Sequence, residues 1–295
     1  MKDDAIITSA QNPKIKHLML LQQKSAARRK EGLFVVEGRR ELQHCVDAGF
    51  EVESVFCTCE VVQSSNTDDC LIVKSPNCQV YKVSSSVYEK IAYRGSTEGV
   101  VAIVKAKQLG LEELRCSSAA LPNGREHNYP LLKGVRGGGS DSQPLIVVLE
   151  SVEKPGNLGA VLRSADAAGA DAVIVCDPLT DLYNPNLIRS SIGAVFTVPT
   201  VVCSSEECIA WLKANGIRIL TAQLQDSSLY YETEMTGPAA IVMGTEATGL
   251  SNLWREAADA HIRIPMLGML DSLNVSVSAA ILLFEAVRQR LSCRP

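Results

Sequence analysis

The sequence lacks a run of about 18 consecutive apolar residues, the length a helix needs to cross a bilayer core. Its opening residues, MKDDAIITSAQNP, also lack the apolar stretch of a secretory signal, so a soluble, cytoplasmic protein is expected, with no membrane partner. Ten cysteines are present, yet no C-x-x-C pair opens a zinc or dithiol redox site. The cysteines therefore read as reduced and mostly structural, and no metal is expected. Cys57 and Cys59 form a C-x-C that alternation along a short strand explains. His44, His127 and His261 have no partner spacing that makes them ligands, while His17 lies where it can at most touch phosphate. Also missing is a G-x-G-x-x-G after the first strand of the C-terminal half, which argues against a dinucleotide-dependent oxidoreductase. The glycine-rich GVRGGGS at 134–140 does not replace it, because no strand leads in and no helix follows.

What is present is 295 residues with 46% hydrophobic content, enough for one large core or two ordinary ones. The net charge of −4 conceals an asymmetry. Residues 1–40 carry nine Lys or Arg against four acids, a local +5, and the remainder carries −9. A basic arm on an acidic protein suits local phosphate contact, since affinity follows the field within a Debye length of about 10 Å. Lys14, Lys16, Arg28, Arg29, Lys30 and Arg39 are the candidate RNA-binding side chains. A solvated helix face explains the same charges equally well at this stage.

The spacing of Asn12, Pro13, Ile15, Leu18, Met19 and Leu21 predicts a capped helix over 12–30. LFVVEG then reads as a strand, RRELQHCVDAGF as a helix closed by Gly49, VESVFCT as a strand and SSNTDDC as a loop. YKVSSSVYEKIAY turns from strand to helix, and EGVVAIVKAK is a last strand. A small α/β domain over 1–104 follows. Residues 105–143 concentrate Pro, Gly, Ser and Asn without sustained period, apart from a short helical LGLEEL, and read as a flexible linker. Over 144–295 strands and helices alternate. Runs such as IVVL, AVIV and AIVM are apolar at consecutive positions, as in strands buried on both faces of a parallel sheet. Ligands of such sheets sit beyond the carboxyl ends of the strands.

Three motifs fall at those ends. The first, ESVEKPGNLGAVLRSADAAG, runs from Glu150 to Gly169, a strand end, a Pro-Gly turn and a helix start, with Asn157 and Arg163 fewer than two turns apart. The second, MGTEATGL, starts at Met243 and sets Glu246 between Gly244 and Gly249. The third, IPMLGMLDSLNVS, starts at Ile264 and runs through Gly268, Ser272, Leu273 and Asn274 into the final helix. Taken singly, Asn157 and Asn274 are ordinary helix caps and Arg163 a surface ion-pair partner. Their shared position at strand ends favours function.

In order and separation, these segments resemble the signature motifs of the SpoU/TrmH family of SPOUT methyltransferases, across essentially all of 144–295. The N-terminal ITSAQNPKIKHLMLL and RRKEGLFVVEGRREL are similar to the substrate-binding domain of the rRNA-modifying members. The resemblance implies a parallel α/β sheet with a trefoil knot, a homodimer with its active site near the interface, and S-adenosylmethionine (AdoMet) bound in a bent form. It implies transfer of a methyl group to a ribose 2′-OH of RNA, ribosomal rather than transfer RNA. Arg163 matches the arginine assigned to the 2′-OH; Asn157, Glu246, Ser272 and Asn274 complete the catalytic set. A guanidinium is a poor base at neutral pH, so orientation and stabilisation of a developing alkoxide stand beside proton abstraction. Gly244, Ile264 and Leu273 match positions that contact AdoMet mainly through main chain. Met266, Leu220 and Thr221 lie on the strand ends expected to join them. The competing readings are a tRNA 2′-O-methyltransferase and a non-catalytic RNA-binding protein on the same scaffold.

Overall fold

The computed structural model describes residues 6–58, 78–92, 99–114, 143–246 and 248–292. The glycine run at 134–140, the SSNTDDC loop, Cys59 and most of the expected linker lie outside them. The chain divides into two compact units, residues 1–107 with 181–197, and residues 108–180 with 198–295. The division expected from sequence used contiguous pieces; here 181–197, from the later sequence, is counted with the first unit.

The first unit holds a four-stranded mixed sheet of order β1-β4-β2-β3, with β1 Leu33–Glu37, β2 Val52–Thr58, β3 Gln79–Val83 and β4 Val100–Lys105. One face packs on Ile15, Leu18, Leu21, Val87 and Ile91 from the flanking helices. The single helix expected over 12–30 is two, α1 Pro13–Gln23 and α2 Ser25–Glu31, broken where Lys24 takes an extended conformation. The break has a physical cause. It lets Arg28 fold back and donate to the carbonyls of Leu21 and Gln22 at 2.6 and 3.1 Å, the acceptors that the end of α1 leaves open. The stretch NPNLIRSSIGAVF likewise forms two helices, Pro185–Ser191 and Ala194–Thr197, separated at Ile192 and Gly193, both at positive φ. Tyr183 and Phe196 from this segment stack on Phe34 of β1.

The second unit holds the parallel sheet that the apolar runs predict, with seven strands in the order β7-β6-β5-β10-β8-β11-β9. They are β5 Leu145–Glu150, β6 Ala172–Cys176, β7 Thr200–Cys203, β8 Arg218–Ala222, β9 Ser228–Leu229, β10 Ala239–Met243 and β11 Ala260–Arg263. All of their pairings are parallel. Every residue of β5, β6 and β10 is buried, which is why those strands are apolar without alternation. Helices Pro155–Ala168, Ser205–Ala214, Asn252–Ala257 and Val275–Ser292 accompany the sheet. Among the described residues no helix is long and apolar enough to cross a membrane.

The central position of β10, between β5 and β8, fixes the site. Its carboxyl end opens between those of β5 and β8, both from earlier sequence, with β11 from later sequence next beyond β8, so loops far apart in the chain converge there.

Candidate active site

After Met243 the chain leaves β10 at Gly244 and closes a short loop. Thr245 and Gly249 exchange both backbone hydrogen bonds at 3.1 and 3.2 Å, and the hydroxyls of Thr245 and Thr248 lie 2.8 Å apart. A Cβ at residue 244 would stand 2.2 Å from the carbonyl carbon of Gly249, so only glycine permits this closure. Ser251, at the end of the loop, donates its N–H to the carboxylate of Glu150 at 2.8 Å, tying the second motif to the first.

The closed loop presents Glu246 to the other two motifs. Asn157, in the first turn of the helix Pro155–Ala168, donates its side-chain amide to Glu246 Oε1 at 2.9 Å. Asn274, just before Val275–Ser292, donates to the same oxygen at 2.7 Å and to Asn157 Oδ1 at 3.2 Å. Lys154 holds the second oxygen, Oε2, at 2.6 Å. Asn274 Oδ1 in turn accepts from the N–H and hydroxyl of Ser276 at 3.0 and 2.6 Å, so this residue is a helix cap and a site residue at once. Asn157 is not a cap, since the helix has already begun at Pro155. The Lys154 ammonium, followed by the Asn157 amide, holds the carboxyl of Glu246 below its usual range, and the Val275 N–H adds to this. At neutral pH Glu246 is a charged acceptor.

Beside this network, the ends of β8, β10 and β11 enclose a cavity of about 380 Å³. Glu246, Gly244, Ile264, Met266, Ser272 and Leu273, all candidates from sequence, line it. Two others do not. Leu220 and Thr221 are fully buried inside β8, and Thr221 Oγ1 is engaged with His261 Nδ1 at 2.6 Å. Both lie inside the strand, which ends at Ala222, so the cavity receives Ala222, Gln223, Leu224 and Gln225 instead. Arg163 is exposed on its helix, lines no part of the cavity and makes no hydrogen bond or ion pair with any described residue. Six residues past Asn157, it leaves the helix on a different side. Sequence reasoning missed Lys154 and Ser276, both inside the motifs. It also missed Gln223 and Arg255, which carry no motif signal and line the cavity only because β8 and the helix Asn252–Ala257 bring them there.

On the first unit, Lys14, Lys16, Arg29, Lys30 and Arg39 are exposed, and Lys14 Nζ stands 3.6 Å from the centre of the Tyr81 ring. Arg28 is a correction. Its side chain is only 5% exposed, paired with Asp181 at 2.7 Å and engaged with the end of α1, so it holds the fold together and is not available to a phosphate.

The three cysteines Cys176, Cys203 and Cys208, a C-x4-C pair with one distant partner, place their sulfurs within 4.8 Å of one another. They stand at the ends of β6 and β7 and on the helix Ser205–Ala214, on the opposite flank of the sheet from the cavity.

Residues 144–284 match the SpoU rRNA Methylase family, and residues 12–102 match the MRM3-like substrate binding domain. Among curated proteins, the chain is similar to the 23S rRNA (guanosine-2′-O-)-methyltransferase RlmB of Vibrio parahaemolyticus, 43% identical over 152 residues. That match covers 51% of this chain and 62% of the relative, so the chain spans less than two thirds of the relative's length. Among solved structures, it is similar to a crystal structure of an RNA 2′-O ribose methyltransferase at 38% identity and a TM-score of 0.75, covering 97% of this chain and 100% of that one. The AdoMet-bound rRNA methyltransferase from Sinorhizobium meliloti has 26% identity and a TM-score of 0.80, over 96% and 97% of the two chains.

Proposed function

The chain belongs to the SpoU family of RNA methyltransferases, and on that premise we propose that it transfers a methyl group from AdoMet to a ribose 2′-OH of ribosomal RNA. The observation that carries this reading is the hydrogen-bonded triangle of Asn157, Glu246 and Asn274, which joins all three motifs at the rim of one cavity. An RNA-binding protein without catalysis has no need of a charged carboxylate buttressed by four donors at the mouth of a cofactor-sized cavity.

The residues present fit the cofactor. The cavity is lined by apolar Met243, Leu250, Ile262, Ile264, Met266 and Leu273, suited to a purine. Gly244 and Gly249 bring backbone against it, and two buried polar side-chain atoms lining it lack partners. AdoMet, when bound, would supply an electrophilic methyl on its sulfonium: the ribose oxygen would bond to that carbon in line as the carbon–sulfur bond breaks and S-adenosylhomocysteine departs.

The protein's task is then to position the oxygen and to favour loss of its proton. Glu246, Asn157 and Asn274 act as positioning residues, fixing the three loops in one register. Ser272 stands exposed at the rim, where its hydroxyl can meet the RNA. Arg163, exposed and unpaired among the described residues, is assigned to the ribose in the assembled homodimer, where it stabilises charge developing on the oxygen. The first unit, through Lys14, Lys16, Arg29, Lys30 and Arg39, supplies the phosphate contacts. The trefoil threading of the C-terminal segment, the homodimer and a cytoplasmic setting belong to the same proposal.

The test is to incubate the protein with methyl-labelled AdoMet and ribosomal or transfer RNA and to follow incorporation. Label in ribosomal RNA that requires intact Glu246 and Asn274 is expected; binding of RNA without any transfer favours the non-catalytic alternative.

A further inference from the structure

Only two buried side-chain polar atoms among the described residues have no hydrogen-bond partner, Gln223 Oε1 and Arg255 Nε, and both residues line the same cavity. A buried donor or acceptor left unpaired is costly, and such atoms in a native fold point to a group that completes them. Gln223 is held in place, because its Nε2 donates to the carbonyl of Gln225 at 2.9 Å, and this leaves Oε1 as the open acceptor. Arg255 makes no ion pair with a described residue. Of the two carboxylates that line the cavity, Glu246 is taken by Lys154, Asn157 and Asn274, and Asp271 is exposed. Gly249, at φ +70°, leaves room above the guanidinium: a Cβ there would already lie 3.9 Å from Arg255 Nη2.

An open guanidinium nitrogen and an open carbonyl oxygen lining one cavity complement an α-amino acid, with carboxylate on the arginine and ammonium on the glutamine. We infer that Arg255 and Gln223 form the subsite for the amino-acid end of AdoMet, while the apolar remainder of the cavity takes the nucleoside. This rests on AdoMet being the cofactor, and it gives two side chains a role in selecting it.

Calorimetric titration with AdoMet, decarboxylated AdoMet and 5′-methylthioadenosine tests it without any turnover. The wild-type protein should bind AdoMet at least about tenfold more tightly than the decarboxylated form, a gap of roughly 1.4 kcal/mol. Arg255→Ala, with an unchanged melting temperature, should bind the two alike, Arg255→Lys should restore part of the gap, and Gln223→Ala should weaken AdoMet but not 5′-methylthioadenosine. Equal binding of AdoMet and its decarboxylated form by the wild type, or an undiminished gap in Arg255→Ala, overturns the subsite alone. No binding of AdoMet to the wild type overturns the cofactor reading itself.

A separate observation carries a second inference. Cys176 and Cys203 are register partners at the ends of adjacent strands, and Cys208 comes from the following helix, so three elements deliver sulfurs within 4.8 Å of one another. Three sulfurs around a zinc ion at about 2.3 Å lie some 3.8 Å apart, inside that limit. Cys176 and Cys208 are fully buried and Cys203 partly exposed, which gives the cluster one route to solvent. We propose that these thiols, each releasing its proton on binding, hold one thiophilic d¹⁰ cation, either Zn²⁺ with water as fourth ligand or three-coordinate Cu⁺. Titration of the reduced full-length protein with Cd²⁺, Zn²⁺ and Cu⁺ tests this, with sulfur-to-metal absorption as the readout. One equivalent bound tightly, and lost in both Cys203→Ser and Cys208→Ser, is expected; no binding, or binding that survives both substitutions, overturns it.

Discussion

Asn274 Nδ2 stands 2.7 Å from Glu246 Oε1, joining the start of the last helix to the loop after β10. Asn157 reaches the same oxygen, so a single carboxylate organises three loops. Replacing Glu246 by Gln turns one acceptor oxygen into a donor that opposes Lys154, Asn157 or Asn274. Methyl transfer should fall roughly 10²-fold, the scale of a misplacement near 1 Å. AdoMet affinity, measured by calorimetry, should change much less, because the rest of the cavity lining remains.

How much of this was legible in sequence follows from what each residue type requires. Strands β5, β6 and β10 were readable because burial on both faces leaves an unbroken apolar run. The motifs were readable because glycine is irreplaceable where Gly244 meets Gly249. The break at Lys24 was not, since no Gly or Pro in QQKSAARRKE marks it and its cause, the return of Arg28 to the end of α1, is a tertiary contact. For the same reason Arg28 looked like one more phosphate ligand among its exposed neighbours. Gln223, Arg255 and the trio of cysteines were invisible because each acquires meaning only from residues distant in the chain.

Arg28 and its neighbours should therefore separate cleanly. Arg28→Ala breaks a buried pair with Asp181 and should cost roughly 3–5 kcal/mol of stability, read by chemical denaturation. Joint replacement of Lys16, Arg29 and Lys30 by Ala should leave stability within about 0.5 kcal/mol. It should weaken RNA binding and lower the slope of log affinity against log salt by about 0.7–0.9 for each phosphate no longer neutralised.

Arg163→Ala should lower methyl transfer by roughly 10²- to 10³-fold if the guanidinium stabilises charge on the ribose oxygen. AdoMet affinity should stay within about twofold, the ordinary variation of an interaction the residue does not make. Rate measurements with saturating AdoMet, beside calorimetric affinities, separate the two effects. Near wild-type turnover would remove the residue from the mechanism.

Asp171 supplies a pH dependence of a different kind. Burial raises its carboxyl to about 6, against the opposing pull of the Leu145 N–H and Arg290. The folded state therefore holds the proton more tightly than the unfolded chain. The contribution is fully present below the unfolded value near 3.8 and is lost as pH rises through about 6. Raising the carboxyl from 3.8 to about 6 corresponds to about 3 kcal/mol. Asp171→Asn, whose carbonyl can still accept from Leu145, should lack this decline. Denaturation midpoints at pH 4.5 and 7.5 should converge for the variant and differ for the wild type.

The central claim is that three converging loops direct a methyl group onto a ribose oxygen. Its most direct measurement is the chemical position of the transferred methyl: RNA treated with the protein and methyl-labelled AdoMet, digested to nucleosides and resolved by mass spectrometry. Label is predicted on the 2′-oxygen of one nucleoside type, and none in Asn274→Ala. Label on a base, or none from a wild-type protein that binds AdoMet and RNA together, would contradict it.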